Sequence, residues 1–94
     1  MAGHDKIQEI IRFRGTVQGV GFRYITHRIA QRYDVTGYVK NLSDGRVECV
    51  VEGTPTEINA FLKEVTSEMQ RSIRETTRQQ APFLGKFHGF DIGY

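Results

Sequence analysis

Gly15-Thr16-Val17-Gln18-Gly19-Val20-Gly21-Phe22-Arg23 is the stretch whose residue types are best suited to chemistry. An apolar, strand-like run (Ile10, Ile11, Phe13) leads into it, and a helical pattern follows. Glycine carries no Cβ and tolerates positive φ, so a backbone rich in it turns tightly and comes close to a ligand. The first N–H groups of the helix that follows have no partner inside it, and the helix dipole favours negative charge there. Arg23 adds a planar cationic fork that matches phosphate or carboxylate. The stretch is suited to holding a small anion, although a glycine loop taken alone is more often a plain β–α turn.

The elements that must position this loop can be read from periodicity. Ile7 to about Arg14 alternates as a strand, with Ile7, Ile11 and Phe13 on one face. Phe22 to Tyr33 changes to a helical period, with Phe22, Ile25, Ile29 and Tyr33 on one side and Ala30 beside them. Val35 to Asn41 reads as a second strand. Asp44-Gly45 is a hairpin turn, and Arg46 to Gly53 alternates as a third strand, with Val47, Cys49 and Val51 opposite Arg46, Glu48 and Glu52. Thr54 as N-cap, Pro55 at the first helical position and Glu57 in a capping box start a second helix, whose stripe is Ile58, Phe61, Leu62, Val65 and Met69. Ser72 to Gln80 is polar; an exposed edge strand is favoured over a helix extension because the apolar stripe stops at Met69. Ala81-Pro82 breaks the chain, and Phe87 to Ile92 reads as a short closing strand.

The order is β-α-β-β-α-β, the split βαβ of a ferredoxin-like α+β sandwich, with both helices on one face of an antiparallel sheet. A right-handed helical crossover makes strands one and two parallel, so their C-terminal ends lie at the same edge of the sheet. Asn41, which ends strand two, is thereby brought towards the glycine loop after strand one. Arg23 and Asn41 can converge on one pocket although eighteen positions separate them. Alone, Asn41 would more often be a strand-ending turn residue.

Together with Gly37-Tyr38-Val39-Lys40-Asn41 and Asp44-Gly45-Arg46-Val47-Glu48, the glycine loop resembles the acylphosphatase family. Two separate signatures occur in the right order, with Ala30 and Gly53 also at family positions. The likeness is strong from Ile7 to Val65 and looser afterwards, through Ile73, Pro82 and Phe90-Asp91-Ile92. A Gly-Pro pair that many members carry after the second helix is missing; Gln70 and Arg71 stand there. The resemblance implies hydrolysis of a carboxyl–phosphate anhydride to carboxylate and inorganic phosphate. It places Arg23 and Asn41 at the catalytic positions and Gln18, Gly19, Val20, Gly21 and Phe22 in the phosphate-cradling loop. It implies no metal and no organic cofactor.

Composition fits this. Ninety-four residues, 38% hydrophobic and 26% charged, make a single domain (7–94) behind a polar leader (1–6). Met1 and the full run of elements suggest a whole protein rather than a domain cut from a larger carbamoyl-transferring enzyme. A net charge of +2 suits anionic partners but is weak for a nucleic-acid binder. No apolar run reaches membrane-spanning length and no signal-peptide core is present, so a cytoplasmic monomer is expected, acting on small-molecule acyl phosphates, with phosphate or other small anions as product or inhibitor and no nucleic acid or membrane. Cys49 reads as a buried strand residue rather than a nucleophile. His4, His27 and His88 share no ligand-like spacing, and His27 is expected to be exposed. Arg71, Arg74, Arg78 and Lys86 read as a solvated, edge-protecting surface.

Two other functions compete. A non-catalytic anion-binding ferredoxin-like module would keep the loop but has no need of a water-positioning amide at Asn41. An RNA-binding sheet of this topology would display stacking aromatics, whereas Tyr38 is the only aromatic in the two central-hairpin strands. The short loops leave little to recognise the acyl part, so broad tolerance for it is expected.

Overall fold

The computed structural model describes residues 5–94; of the expected leader, residues 1–4 lie outside the described residues, and Asp5 and Lys6 carry no regular structure. The elements are β1 (Ile7–Gly15), α1 (Phe22–Ala30), β2 (Thr36–Asn41), β3 (Val47–Gly53), α2 (Pro55–Glu68), β4 (Ile73–Pro82) and β5 (Phe90–Ile92). The sheet runs β4-β1-β3-β2-β5. β3 pairs antiparallel with both β1 and β2, which makes β1 and β2 parallel, as the crossover requires. β4 also pairs antiparallel with β1, but β5 joins β2 in parallel, so the sheet is mixed rather than wholly antiparallel.

One core lies between the sheet and the helices. Ile11 and Phe13 of β1, Val39 of β2 and Val47, Cys49 and Val51 of β3 meet Phe22 and Ile29 of α1 and Ile58, Phe61 and Val65 of α2. In α1 the buried stripe is Phe22, Thr26, Ile29 and Ala30; Ile25, expected on it, is only half-buried at its border. The helix ends at Ala30 rather than Tyr33. Arg32 N–H and Tyr33 N–H donate back three residues, to the Ile29 and Ala30 carbonyls, which tightens the last turn out of α-geometry. Tyr33 still packs inward, its hydroxyl donating to Glu64 of α2 at 2.6 Å. His27 is half-buried, not exposed.

At the start of α2 the Thr54 hydroxyl accepts from Glu57 N–H at 3.3 Å, with Pro55 at the first position. The reciprocal half of the capping box is absent, because the Glu57 carboxylate instead accepts from Asp34 N–H at 2.8 Å and ties the helix to the chain entering β2. Beyond Met69 the chain turns and enters β4, and the edge strand prevails over a longer helix. Arg78 is not simply solvated: it pairs with buried Glu9 through two hydrogen bonds of 2.7 and 2.6 Å and also donates to Asn59.

The face of the sheet away from the helices is covered by the chain between β4 and β5, which crosses from one edge to the other. Glu52, 1% exposed, holds it there. Its carboxylate accepts from Leu84 N–H (2.7 Å), Gly85 N–H (3.1 Å) and the Gln8 amide (2.9 Å). Phe87 stacks edge-on against Tyr38 with ring centroids 5.9 Å apart. The charged side of β3 is consequently buried, with Glu48 held by Arg12 at 3.0 Å. Glu52→Ala removes one acceptor from three donors, and a loss of about 2–3 kcal/mol in unfolding free energy is expected. The urea midpoint measures it; an unchanged midpoint would show that water replaces the carboxylate without cost.

Candidate active site

Local sequence dictates a rigid loop between β1 and α1. Its two ends are pinned by Phe13 and Phe22, whose rings lie 4.9 Å apart in the core. Its middle is pinned by Val17, which is 0% exposed. Thr16 N–H donates to the Ser72 carbonyl at 2.9 Å, anchoring the near side to the start of β4. Gln18 anchors the far side: its amide donates to the carbonyls of Leu42 (2.8 Å) and Arg46 (2.9 Å) in the β2–β3 hairpin. That hairpin is braced in turn by Asp44, which accepts from Arg46 N–H and from its guanidinium. These contacts hold the Asp44 carboxyl below its ordinary pKa, the backbone N–H of Arg46 being the main cause.

Between the anchors the backbone turns at Gly19 (φ 77) and Gly21 (φ 80), in the left-handed region that costs other residues about 1–2 kcal/mol. Gly21 is also the N-cap of α1, and the first helical hydrogen bond runs from Ile25 N–H to the Gly21 carbonyl. The N–H groups of Phe22, Arg23 and Tyr24 precede that bond and have no partner inside the helix. No acidic side chain occupies the first helical turn, so the positive end of the dipole is uncompensated.

Arg23, Gly19, Gly21, Phe22 and Asn41 line one cavity of about 270 Å³. Asn41 reaches it because strand residues two apart share a face: Val39 and Asn41 point to the helix side while Lys40 points away. No hydrogen bond among the described residues engages its carboxamide, which leaves both ends of the amide for a ligand or a water. Gln18 and Val20 do not line the cavity; the Gln18 side chain is committed to the hairpin, and Val20 is exposed.

The C-terminal residues complete the site, and nothing local in the sequence announced them. Parallel pairing of β5 with β2 places Val39 beside Ile92, and Gly93 N–H donates to the Val39 carbonyl at 2.7 Å. Ile92 and Tyr94 thereby join the lining, with Tyr24. Arg23 donates from Nη1 to the Gly93 carbonyl at 2.9 Å, and its guanidinium lies 5.0 Å from the centre of the Tyr94 ring. The fork is thus held through Nη1, and no other hydrogen bond among the described residues engages its remaining N–H groups.

No side chain of the lining residues is a carboxylate, an imidazole or a thiol. Cys49 is fully buried in β3, and burial pushes its thiol pKa far above the ordinary value, so it is no nucleophile. Among the described residues no three His, Cys, Asp or Glu side chains gather as metal ligands, and no helix is long and apolar enough to cross a membrane.

Fold and cavity together define a class: a ferredoxin-like α+β sandwich whose glycine-rich β–α loop and helix N-terminus can receive an oxyanion opposite a guanidinium and a carboxamide. The family model described as Acylphosphatase matches residues 9–92, and this chain belongs to the acylphosphatase family. An acylphosphatase of Yersinia pseudotuberculosis is 39% identical over 91 residues, 96% of this chain and 99% of that protein. One from a Synechococcus strain is 40% identical over 77 residues, 82% of each chain. The crystal structure of acylphosphatase from Bacillus subtilis superposes with a TM-score of 0.86 at 35% identity, covering 94% of this chain and 99% of that one.

Proposed function

We propose that the protein hydrolyses acyl phosphates to a carboxylate and inorganic phosphate, with Arg23 and Asn41 as its catalytic side chains. The convergence of these two residues on one cavity, beside the unpaired N–H groups of the loop and helix, carries this reading. Arg23 and the N–H groups take the phosphoryl oxygens and stabilise the charge that gathers on them in the transition state. The Asn41 carbonyl accepts from a water and aims its oxygen at phosphorus, in line with the departing acyl oxygen. The new P–O bond forms as the P–O bond to the acyl group breaks, and the acyl carboxylate leaves. It is stable at neutral pH and needs no proton, which suits a lining without acidic side chains. An amide is a poor base, so the proton of the attacking water passes to a phosphate oxygen. Gln18 acts here through the hairpin it ties down, as a positioning residue.

The family membership favours hydrolysis over a non-catalytic anion-binding module. All lining residues come from one chain, so a monomer is sufficient. Residues 7–94 act as one domain, since all five strands share one sheet and one core. Tyr38 is engaged by Phe87 and Glu48, which speaks against a base-stacking platform. A free, buried Cys49 suits a reducing compartment such as the cytoplasm. Benzoyl phosphate, whose hydrolysis is followed by ultraviolet absorbance, tests the activity in the presence of a chelator. Turnover unchanged by the chelator is expected. An inactive protein would favour the binding module, and loss of activity with chelator would overturn the metal-free chemistry.

A further inference from the structure

We infer that the catalytic cavity contains a subsite for an aromatic acyl group, formed by the rings of Tyr24 and Tyr94. This rests on the acyl phosphate hydrolysis proposed above and gives that reaction a preferred substrate class. Both tyrosines line the same cavity as Arg23 and Asn41, together with Ile92. Tyr24 comes from the first turn of α1, one residue after Arg23, and Tyr94 from the chain leaving β5. Neither is taken up by the core, for Tyr24 is 64% and Tyr94 100% exposed. Of the large hydrophobic residues exposed among the described ones, Phe83 and Leu84 lie on the chain between β4 and β5. The others, Val20, Tyr24 and Tyr94, gather here, with Val20 between the lining glycines Gly19 and Gly21. Exposed apolar surface grouped around a cavity points to a ligand, whereas single exposed apolar residues do not.

Phosphoryl transfer leaves these rings without a task. Arg23, Asn41 and the unpaired N–H groups of the loop and helix serve the phosphoryl group and the water. Among the described residues no hydrogen bond or ring contact engages the Tyr24 side chain. Tyr94 faces the Arg23 guanidinium, 5.0 Å from its ring centre, and the rest of its surface is open. A substrate whose phosphoryl group sits against Arg23 carries its acyl group one anhydride oxygen away, in the same cavity of about 270 Å³. A flat apolar acyl group loses water-exposed surface against the rings, and an aromatic one gains further from stacked or edge-on contact. Tyrosine supplies such contact at little entropic cost, with only two side-chain torsions to fix. An acetyl group has a single methyl to bury and gains little. The broad acyl tolerance expected from short loops thus gives way to a preference for aromatic acyl groups.

Steady-state hydrolysis of benzoyl phosphate and acetyl phosphate tests this in wild type, Tyr24→Ala, Tyr24→Phe and the Tyr24→Ala/Tyr94→Ala double variant. The ratio of the two kcat/KM values in each variant, set against the wild-type ratio, cancels the intrinsic reactivities of the two anhydrides. Tyr24→Ala is expected to lower the benzoyl preference about fivefold, through KM, because the contact is the same in ground and transition states. The double variant is expected to lower it about tenfold or more. Tyr24→Phe keeps the ring and is expected to hold the preference within about twofold of wild type. High salt should leave these differences in place, since the contact is apolar rather than ionic. Tyr24 is exposed and alanine is the stronger helix former, so α1 is expected to fold in the variants. Parallel losses with both substrates would make the rings supports of Arg23 alone and overturn the subsite. A fall in preference as large for Tyr24→Phe as for Tyr24→Ala would assign the effect to the hydroxyl and overturn it too. Wild type inactive on both substrates would overturn the hydrolase reading and this inference with it; turnover of both with an unchanged ratio in Tyr24→Ala and the double variant overturns this inference alone.

Discussion

Arg23→Ala is expected to lower kcat for benzoyl phosphate by about 10³-fold or more, with folding intact. Removal of one preorganised donor to a developing oxyanion costs about 10²–10³. Arg23 supplies a full charge as well, and an arginine placed on a transferring phosphoryl group is worth about 10³–10⁵. Its setting makes the geometry hard to replace, because the Gly93 carbonyl and the Tyr94 ring both contact the guanidinium. Arg23→Lys keeps the charge but not the planar bidentate fork, since the N–H groups of an ammonium are tetrahedral; a severe defect is expected there too. Tyr94→Ala removes only the ring and should cost no more than about tenfold, since an exposed cation–π contact is worth about 0.5–1 kcal/mol. Circular dichroism confirms folding, and wild-type-like turnover by Arg23→Ala would remove the assignment.

The parts of this design that were legible in the sequence are those that local chemistry decides. The α2 start could be read at Thr54-Pro55 because a cap and a ring-locked φ act within one turn. The Asp44-Gly45 turn and the alternation of β3 were equally local. The convergence of Arg23 and Asn41 was legible one level higher, through the handedness of the β–α–β crossover, which needs no knowledge of side-chain contacts.

What stayed hidden depends on long-range pairing. Period-two alternation puts Glu52 on the outer face of β3, but only the chain returning from β4 to β5 decides that this face is covered and Glu52 buried. The same return delivers Gly93 and Tyr94 to Arg23, some seventy residues away in sequence. Gln18 reads as a loop residue facing a ligand, yet its amide satisfies two hairpin carbonyls that no local rule could assign to it. The register slip at Gly15, where Arg14 pairs with Glu75 but Gly15 with Ile73, is likewise invisible to periodicity along either strand alone. The elements follow from short-range physics, whereas the supports of the site follow from which strand ends the sheet brings together.

Asn41→Ala separates the two halves of the chemistry. If the carboxamide aims the attacking water, its loss should lower kcat by about 10²–10³, the cost of one preorganised polar group in a transition state. Binding should hardly change, because Arg23 and the unpaired N–H groups of the cradle are untouched. The inhibition constant for inorganic phosphate is accordingly expected to stay within about threefold of wild type. Asn41→Asp supplies an acceptor of similar shape but adds a negative charge facing the anion, and phosphate inhibition should weaken in that variant alone. Stability gives no competing explanation for the alanine variant, since no described residue bonds to the carboxamide and the β2–β3 ladder runs through the backbone. Equal losses in kcat and in phosphate binding for Asn41→Ala would make Asn41 a binding group, and the water would need another guide.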